Sequence, residues 1–477
     1  MLFPTISFAI FFLIVYFSHR TLVSRPGLWK AFMLAASYFF YGWWDWRFVG
    51  LLAISSVVNQ CCALCIHNRD NERARRAWLI LALCFNLGTL GFFKYYGFFT
   101  LQMYALLGRL GLSIPLPLLD IILPVGISFF TFQAMSYVVD IYRRELEPTQ
   151  NILDFAVYLA FFPQLVAGPI VRAKVFLPQL SALSPQTSVD AGRAVMLIMA
   201  GLFKKIVIAN YLAQHIVDPV FAHPAAYGAA DNILAVYGYA IQIYCDFSAY
   251  SDIAIGVALL LGFKFPINFN APYFATSIQD FWRRWHISLS TWLRDYLFIP
   301  MGGSRVSTPR IYRNLFIVFL LGGLWHGAAW TFIVWGLLHG AYLMTGRMVS
   351  VIRNKHKAVI ENAGISPVWH ILKMIWVFHL VCFTWVFFRA ETFADAWEML
   401  KQFTAWNVSS TMINGTLLLF MLIGFMTQFM DGDRMMRLWN RLNQTHPVWQ
   451  GAVAAIVLVL ILSLGPKGVS PFIYFQF

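Results

Sequence analysis

The sequence predicts an all-α polytopic membrane protein. Of its 477 residues, 60% are hydrophobic and only 12% are charged, whereas about a quarter of a typical soluble domain is charged. Long charge-free runs approach the roughly 20 apolar residues that a helix needs to cross a bilayer. These runs lack the polar and apolar alternation of membrane β-barrel strands. Six long charge-free runs lie at residues 48–66, 77–93, 121–139, 155–171, 411–430 and 448–466. With the other apolar segments, the sequence predicts about ten to twelve spanning helices.

The first spanning helix is expected around residues 7–17. No basic residue precedes it, and Arg20 follows it, which is the reverse of a cleavable signal peptide. The formal net charge of +14 comes from basic residues in short loops, so we read it as the positive-inside signal of a membrane protein. A nucleic-acid partner is not expected. Because the first basic loop follows the first helix, the N-terminus is predicted to lie outside the cytoplasm.

One membrane domain, residues 1–477, is expected, in three parts. Residues 1–118 hold about four spanning helices, with an interfacial aromatic turn at residues 42–47. Residues 119–346 are expected to form a core that is richer in polar groups than a bilayer-facing bundle needs. Residues 347–477 begin with a basic loop at 347–357 and return to simpler spanning helices.

Prolines and glycines interrupt the apolar runs of the middle part at residues 161–169, 265–273 and 299–304. Proline removes a helix donor and clashes with the preceding turn. Broken backbone at membrane depth is tolerated where protein or a watery cavity covers it. The interruptions therefore predict re-entrant elements around a chamber.

His326 lies in a 33-residue stretch, residues 314–346, that contains no Asp, Glu, Lys or Arg. An ionisable ring at membrane depth is costly, and histidine is well suited to moving protons near neutral pH. His286 stands 40 residues upstream in an aromatic and basic run. The alternative for His326 is a buried structural histidine. Together the two histidines favour a reactive centre inside the membrane protein.

The same stretch predicts a hairpin. Thirty-three helical residues cover roughly 50 Å, too long for one crossing, and the flanking Arg313 and Arg347 are both expected in the cytoplasm. A helix break at Gly322 and Gly323 would place His326 near the apex of two half-length arms. A cysteine-accessibility scan that found Arg313 and Arg347 on opposite faces would contradict this topology.

Other histidines are expected to be structural. His339 lies 13 residues after His326, which matches no helical ligand pair, and His379 lies in another apolar run. The spacing of these histidines argues against a metal site.

Two further groups have candidate roles. Residues 280–305 combine aromatic rings with arginines, which would suit a nucleotide diphosphate such as the head of coenzyme A. The residues alone slightly favour the alternative, an interfacial amphipathic helix. The proposed donor-binding residues are Arg283, Arg284, Arg294, Tyr296 and Arg305. Asp246 and Asp252 are expected to pair with these arginines and hold the chamber together, with a proton relay as the alternative.

The order of these motifs resembles the membrane-bound O-acyltransferase superfamily, in particular its bacterial alginate O-acetyltransferase branch. The resemblance covers nearly the whole chain and rests on residues 123–133, 161–170, 246–252, 280–286, 324–327 and 472–477. It implies a ring of about 11 transmembrane helices, with re-entrant helices around a central tunnel. By this resemblance His326 is the catalytic histidine and His286 the second active-site residue. Residues expected along the substrate path are Trp325, Asp246, Ser248, Asp252 and Trp285.

The resemblance also implies acetyl-CoA as donor substrate and no bound cofactor. The expected partners are an SGNH-type acetyltransferase outside the bacterial inner membrane, a polysaccharide acceptor and membrane lipids. Alginate, cellulose, another exopolysaccharide and peptidoglycan stay open as acceptors. Two alternatives are a transporter of polysaccharide or lipid precursors, and a D-alanyl or longer-chain acyltransferase of the same family.

Overall fold

The computed structural model describes residues 1–112, 114–356, 367–406, 410–429 and 444–465, and positions 437, 441, 472 and 473. Within these residues every regular element is helical, which confirms the predicted class. The α-helices are α1 Ile6–Leu22, α2 Pro26–Gly42, α3 Arg47–His67, α4 Glu72–Leu90, α5 Tyr96–Arg109, α6 Ile127–Tyr142, α7 Ile152–Ala160, α8 Phe162–Leu165, α9 Ala173–Ala182, α10 Ala191–Leu202, α11 Asn210–Leu212, α12 Asp218–Ala222, α13 Ala229–Leu260, α14 Ile278–Arg284, α15 Ile287–Leu293, α16 Thr308–His326, α17 Trp330–His356, α18 Pro367–Arg389, α19 Phe393–Gln402, α20 Gly415–Met426 and α21 Pro447–Leu464. Short π-helical segments lie at Gly91–Tyr95, Phe203–Ala209, Ala213–Val217 and Arg294–Phe298, and 3-10 turns at Pro224–Ala226, Pro272–Phe274 and Thr427–Phe429.

Several helices are suited to a bilayer. In the described residues, five stretches are long and apolar enough to cross it: Arg47–His67, Glu72–Arg109, Ala191–Ala222, Ala229–Leu260 and Pro367–Arg389. Shorter apolar helices lie at Ile6–Leu22, Gly415–Met426 and Val448–Leu464. The protein is therefore a membrane protein. The count of about 11 spanning helices and the tunnel stay predictions.

Residue contacts divide the chain into two compact units. One comprises Met1–Ala191 with Ala254–Pro266, and the other comprises Gly192–Ile253 with Ile267–Phe477. The division after residue 191 falls inside the middle part of the sequence. The single domain of residues 1–477 stays a prediction.

Buried polar pairs connect the helices of the first unit. Between α3 and α4, Asn86 Nδ2 donates to Asn59 Oδ1 at 2.7 Å. Between α3 and α6, the Tyr137 hydroxyl donates to Gln60 Oε1 at 2.9 Å. A buried amide without a partner is costly in apolar surroundings, so these bonds fix which helix faces meet.

The predicted break at residues 161–169 is confirmed. Helix α7 ends at Ala160, and α8 is a single turn. Side chains satisfy the backbone there: the Phe162 amide donates to Ser37 Oγ at 3.2 Å, and Gln164 Nε2 donates to the Tyr158 carbonyl at 2.7 Å. All of these residues are buried, as expected for irregular backbone covered by protein. The breaks at residues 265–273 and 299–304 are also present.

Two local predictions have different outcomes. The aromatic turn is confirmed: Trp43, Trp44 and Trp46 are exposed between α2 and α3. The prediction of a basic loop at 347–357 is wrong for its first ten residues, because 347–356 continue α17. Lys357 lies outside the described residues. Lysine and arginine are good helix formers, so positive charge alone does not end a helix.

The predicted hairpin is present in the second unit, but its break was placed wrongly. Gly322 and Gly323 are helical, and the chain leaves α16 at Gly327. A methyl group on Gly323 would collide with the carbonyl oxygen of Phe332 on α17 and lie 3.3 Å from the Gly336 Cα. The absent side chain at Gly323 lets α16 and α17 pack closely.

Gly323→Ala is therefore expected to destabilise the hairpin by about 1–3 kcal/mol, because the obstructing atom belongs to the backbone and cannot rotate away. Gly322→Ala is the matched control, since its methyl would meet Leu293 Cδ1 at an ordinary 3.6 Å and alanine favours the helix. The midpoint of thermal denaturation in detergent measures both. Equal midpoints would contradict the packing role of Gly323.

Candidate active site

His326 is the last residue of α16 and is 4% exposed. Its ring lies 4.9 Å from Trp325, 4.8 Å from Trp335 and 5.1 Å from Phe388, measured between centroids, and each contact is edge-to-face. Such contacts pair a positive ring edge with a negative aromatic face. Any side chain at Gly327 would collide with the Phe332 ring. Hairpin geometry and aromatic packing therefore hold His326 at one place.

His286 lies between the short helices α14 and α15 and is fully buried. Its ring packs edge-to-face on Phe247 of α13 at 4.6 Å and lies 5.7 Å from the Trp325 ring. Trp325 thus contacts both histidine rings, which brings the two histidines predicted from the sequence together around one indole. The backbone of His286 is left-handed, with a φ of 43°; non-glycine residues adopt this conformation where their surroundings impose it.

The bonds of His339 fix its protonation state. The Thr384 hydroxyl donates its hydrogen to the Val381 carbonyl at 2.7 Å. The contact between Thr384 Oγ1 and His339 Nε2, at 3.0 Å, therefore takes its hydrogen from the imidazole. The other nitrogen, Nδ1, accepts from Trp282 Nε1 at 3.3 Å. His339 is thus a neutral Nε2–H tautomer with both nitrogens occupied, which agrees with a structural role.

The same reasoning applies to His379. Its Nε2 meets the Tyr237 hydroxyl at 2.9 Å, and its Nδ1 meets the Ile375 carbonyl at 2.7 Å. Because a carbonyl only accepts, Nδ1 carries the hydrogen and Nε2 accepts from Tyr237. Both ring nitrogens are used in binding neighbouring groups, again in agreement with a structural role.

His339→Phe is expected to lower the free energy of unfolding by about 1–3 kcal/mol, because it removes the acceptor of the Trp282 indole. Acyl transfer per folded molecule is expected to stay near the wild-type value. Thermal denaturation and transfer rate, each corrected for folded protein, measure these effects. A variant of normal stability that had lost transfer would show that His339 has a chemical role instead.

Asp246 and Asp252 of α13 form ion pairs with lysines, so the predicted pairing with arginines is wrong. Lys205 Nζ lies 2.5 Å from Asp246 Oδ1. Lys204 Nζ lies 2.5 Å from Asp252 Oδ2 and donates to Ser248 Oγ at 2.7 Å. Ser248 and Asp252 are four residues apart on α13, so one lysine reaches both.

Sequence reasoning missed both lysines. They stand side by side in the π-helical segment Phe203–Ala209, and both are buried. The signal was present: they are the charged residues between Arg193 and Asp218. Charges inside an apolar segment imply a buried partner. A place for Asp246, Ser248 and Asp252 along a substrate path stays a prediction.

Trp285 is buried in the apolar core of the second unit. Its ring packs against Phe281, Tyr273 and Trp385 at centroid distances of 5.6, 6.0 and 5.2 Å. These contacts give it a packing role beside His286. Its contact with substrate stays a prediction.

The proposed donor-binding residues make local contacts. Arg284 Nε lies 2.9 Å from Asp280 Oδ1, and Arg294 Nε lies 2.7 Å from Asp295 Oδ1. The Tyr296 ring packs on Trp292 at 5.1 Å. The side chains of Arg283 and Arg305 are exposed. A shared diphosphate site stays a prediction for this group.

Comparison with known proteins assigns the family. Residues 142–364, which include both His286 and His326, match the profile described as MBOAT, membrane-bound O-acyltransferase family. A probable alginate O-acetylase of Pseudomonas aeruginosa is 43% identical over 383 residues, covering 79% of this chain and 70% of the relative. The chain belongs to the membrane-bound O-acyltransferase family.

Two further relatives of this membrane-bound O-acyltransferase extend the match. A probable alginate O-acetylase of Pseudomonas putida is 37% identical over 93% of this chain and 94% of its own length. A peptidoglycan O-acetyltransferase of Helicobacter pylori is 38% identical over 82% of this chain and 77% of its own length. The protein is thus a membrane O-acyltransferase, as the sequence motifs predicted.

Proposed function

We propose that this acyltransferase takes acetyl from cytoplasmic acetyl-CoA and passes it across the inner membrane to O-acetylate an extracytoplasmic polysaccharide. The observation that carries the proposal is the convergence of His326 and His286 on Trp325 inside the family-matched range. The relatives support acetyl as the acyl group, because they are named as an alginate O-acetylase and a peptidoglycan O-acetyltransferase.

The proposed chemistry is transfer of acetyl from the thioester of acetyl-CoA to an acceptor hydroxyl. His326 removes the proton of an acceptor hydroxyl, whose oxygen then attacks the thioester carbonyl carbon. The carbon–sulfur bond breaks, and the coenzyme A thiolate takes up the proton that His326 received. His286 orients or polarises one of the reactants, while Trp325 shapes the space between the two rings. Positioned acid–base catalysis of this kind typically contributes about 10²–10⁴-fold.

Because the donor is inside and the final acceptor outside, acetyl crosses the membrane while coenzyme A does not. An SGNH-type partner on the outer side would complete transfer to the polymer. Relatives named for alginate and for peptidoglycan make both polymers candidate acceptors. Transfer of D-alanyl or a longer acyl group is the competing function within the family. Membership of an acyltransferase family removes the support for a transporter.

Inverted membrane vesicles, which expose the cytoplasmic face, test the proposal. Vesicles containing the protein and its partner receive acetyl-labelled acetyl-CoA, with wild type beside His326→Ala and His379→Ala. We expect label on a luminal glycan or partner with wild type and His379→Ala, and none with His326→Ala. Label that stays on coenzyme A in wild-type vesicles would reject acetyl-CoA as donor. Label on the glycan with His326→Ala would reject the catalytic role of this histidine.

A further inference from the structure

Asn268 connects the segment that carries His286 to helix α13. It is 1% exposed and lies in the irregular chain after α13. Its Oδ1 accepts from the Ser288 amide at 3.1 Å and from the Ser288 hydroxyl at 2.9 Å. Its Nδ2 donates to Ser251 Oγ at 3.1 Å. The orientation of the amide is unambiguous, because a backbone amide only donates and so must face the oxygen.

Backbone bonds on both sides of His286 reinforce this connection. The Ile287 amide donates to the Asn268 carbonyl at 2.9 Å, and the Asn270 amide donates to the Arg284 carbonyl at 2.9 Å. His286, with its left-handed backbone, lies between these two bonds. A strained non-glycine conformation persists where the surroundings over-determine it. The bonds from residues 268 and 270 provide that restraint.

Helix α13 supplies both a contact for the His286 ring and the anchor for Asn268. Phe247, which packs on the His286 ring, and Ser251, which binds Asn268, are four residues apart. Residues at this spacing lie on one face of a helix. Asn268 therefore fixes the backbone of His286 relative to the same face that receives its ring.

We propose that Asn268 is a positioning residue for acyl transfer. It holds His286 in its left-handed conformation, with the ring between Phe247 and Trp325. The catalytic half of this proposal rests on the proposed function, in which His286 acts on a reactant. Asn268 itself touches no reacting atom in this role. Its effect on transfer passes through His286.

The test compares Asn268→Ala with Asn270→Ala in the full-length protein, each alone and combined with His286→Ala. Asn270 is the matched control, because it is exposed and takes part in the restraint through its backbone. The first readout is hydrogen–deuterium exchange of the peptide containing Ile287 and Ser288. We expect faster exchange there in Asn268→Ala and wild-type exchange in Asn270→Ala. Unchanged exchange in Asn268→Ala would overturn the proposal.

The second readout is the rate of acetyl transfer. Asn268→Ala is expected to lower kcat by about tenfold to a hundredfold, as displaced catalytic groups do, with an unchanged KM for acetyl-CoA. In the His286→Ala background the same change is expected to have no further effect, since a double-mutant cycle reveals a shared route. A full additional loss in that background would overturn the proposal, because it would mean a general structural role.

Ser288→Ala serves if Asn268→Ala does not fold, because it removes one donor to Asn268 and keeps the Ser288 amide bond. It is expected to give a smaller loss of kcat with the same dependence on His286; a loss independent of His286 would overturn the proposal. Failure of the proposed function would give a result that differs from failure of the Asn268 proposal. Wild-type protein would then transfer no acetyl, and the exchange readout alone would decide whether Asn268 restrains His286.

Discussion

Replacing His326 with glutamine is expected to lower acetyl transfer by about 10²–10⁴-fold, the usual contribution of a positioned general base. Glutamine fills a similar volume and forms hydrogen bonds, but it cannot take up a proton near neutral pH. The aromatic neighbours Trp325, Trp335 and Phe388 would still pack around it. The loss should therefore appear in kcat, with the amount of folded protein unchanged.

The measurement is the initial rate of transfer from labelled acetyl-CoA, divided by the amount of monodisperse protein after size-exclusion chromatography. His379→Gln is the matched control, because it makes the same substitution in a histidine whose bonds to Tyr237 and Ile375 indicate a structural role. Normal transfer by well-folded His326→Gln would exclude His326 as the base. An equal loss in both variants would point to packing instead.

Lys205→Met is expected to lower the free energy of unfolding by about 3–5 kcal/mol, since it leaves the charge of Asp246 buried without its cation. The side chains of Lys205 and Asp246 are 3% and 4% exposed, so water cannot readily replace the ammonium. Adding Asp246→Asn should recover most of the loss. The asparagine is neutral, and its oxygen can still accept from the Ile473 amide, which lies 2.6 Å from Asp246 Oδ2.

The temperature at which half of the detergent-solubilised protein remains folded measures this effect. Lys204→Met is the matched control, because the side chain of its partner Asp252 is 25% exposed and water can compensate part of its charge. We expect a clearly smaller loss for Lys204→Met. Two results would contradict a stabilising role for the ion pair. One is wild-type stability of Lys205→Met, and the other is a further loss of stability when Asp246→Asn is added to it.

The sequence was sufficient to predict the membrane class, the broken segments and the convergence of two histidines. The first two features follow from local signals, the apolar runs and the prolines inside them. The two histidines were singled out by the charge-free stretch around His326, the aromatic and basic run around His286, and the resemblance to the family. The position of the hairpin break was not predictable in the same way. Glycine both bends helices and lets them pack closely, and the choice at Gly323 depends on a facing helix.

The predicted pairing of the two aspartates with arginines was wrong for a related reason. Asp246 and Asp252 were assigned to arginines in the next polar segment, but their partners Lys204 and Lys205 come earlier in the chain. Pairing in a helical protein depends on which helix faces meet, and spacing along the chain does not determine that. Asn268 escaped notice because an amide that restrains a neighbouring loop has no sequence pattern of its own.

The bond between Asp246 and the Ile473 amide also constrains the order of biosynthesis. The two residues are 227 positions apart, and Lys205 precedes both. A chain emerging from the ribosome therefore acquires Lys205 before Asp246, and the amide donor only 227 residues after Asp246. Until then the carboxylate has the Lys205 ammonium but lacks this donor. A chain truncated before residue 473 would keep a buried carboxylate with one donor fewer, which is costly.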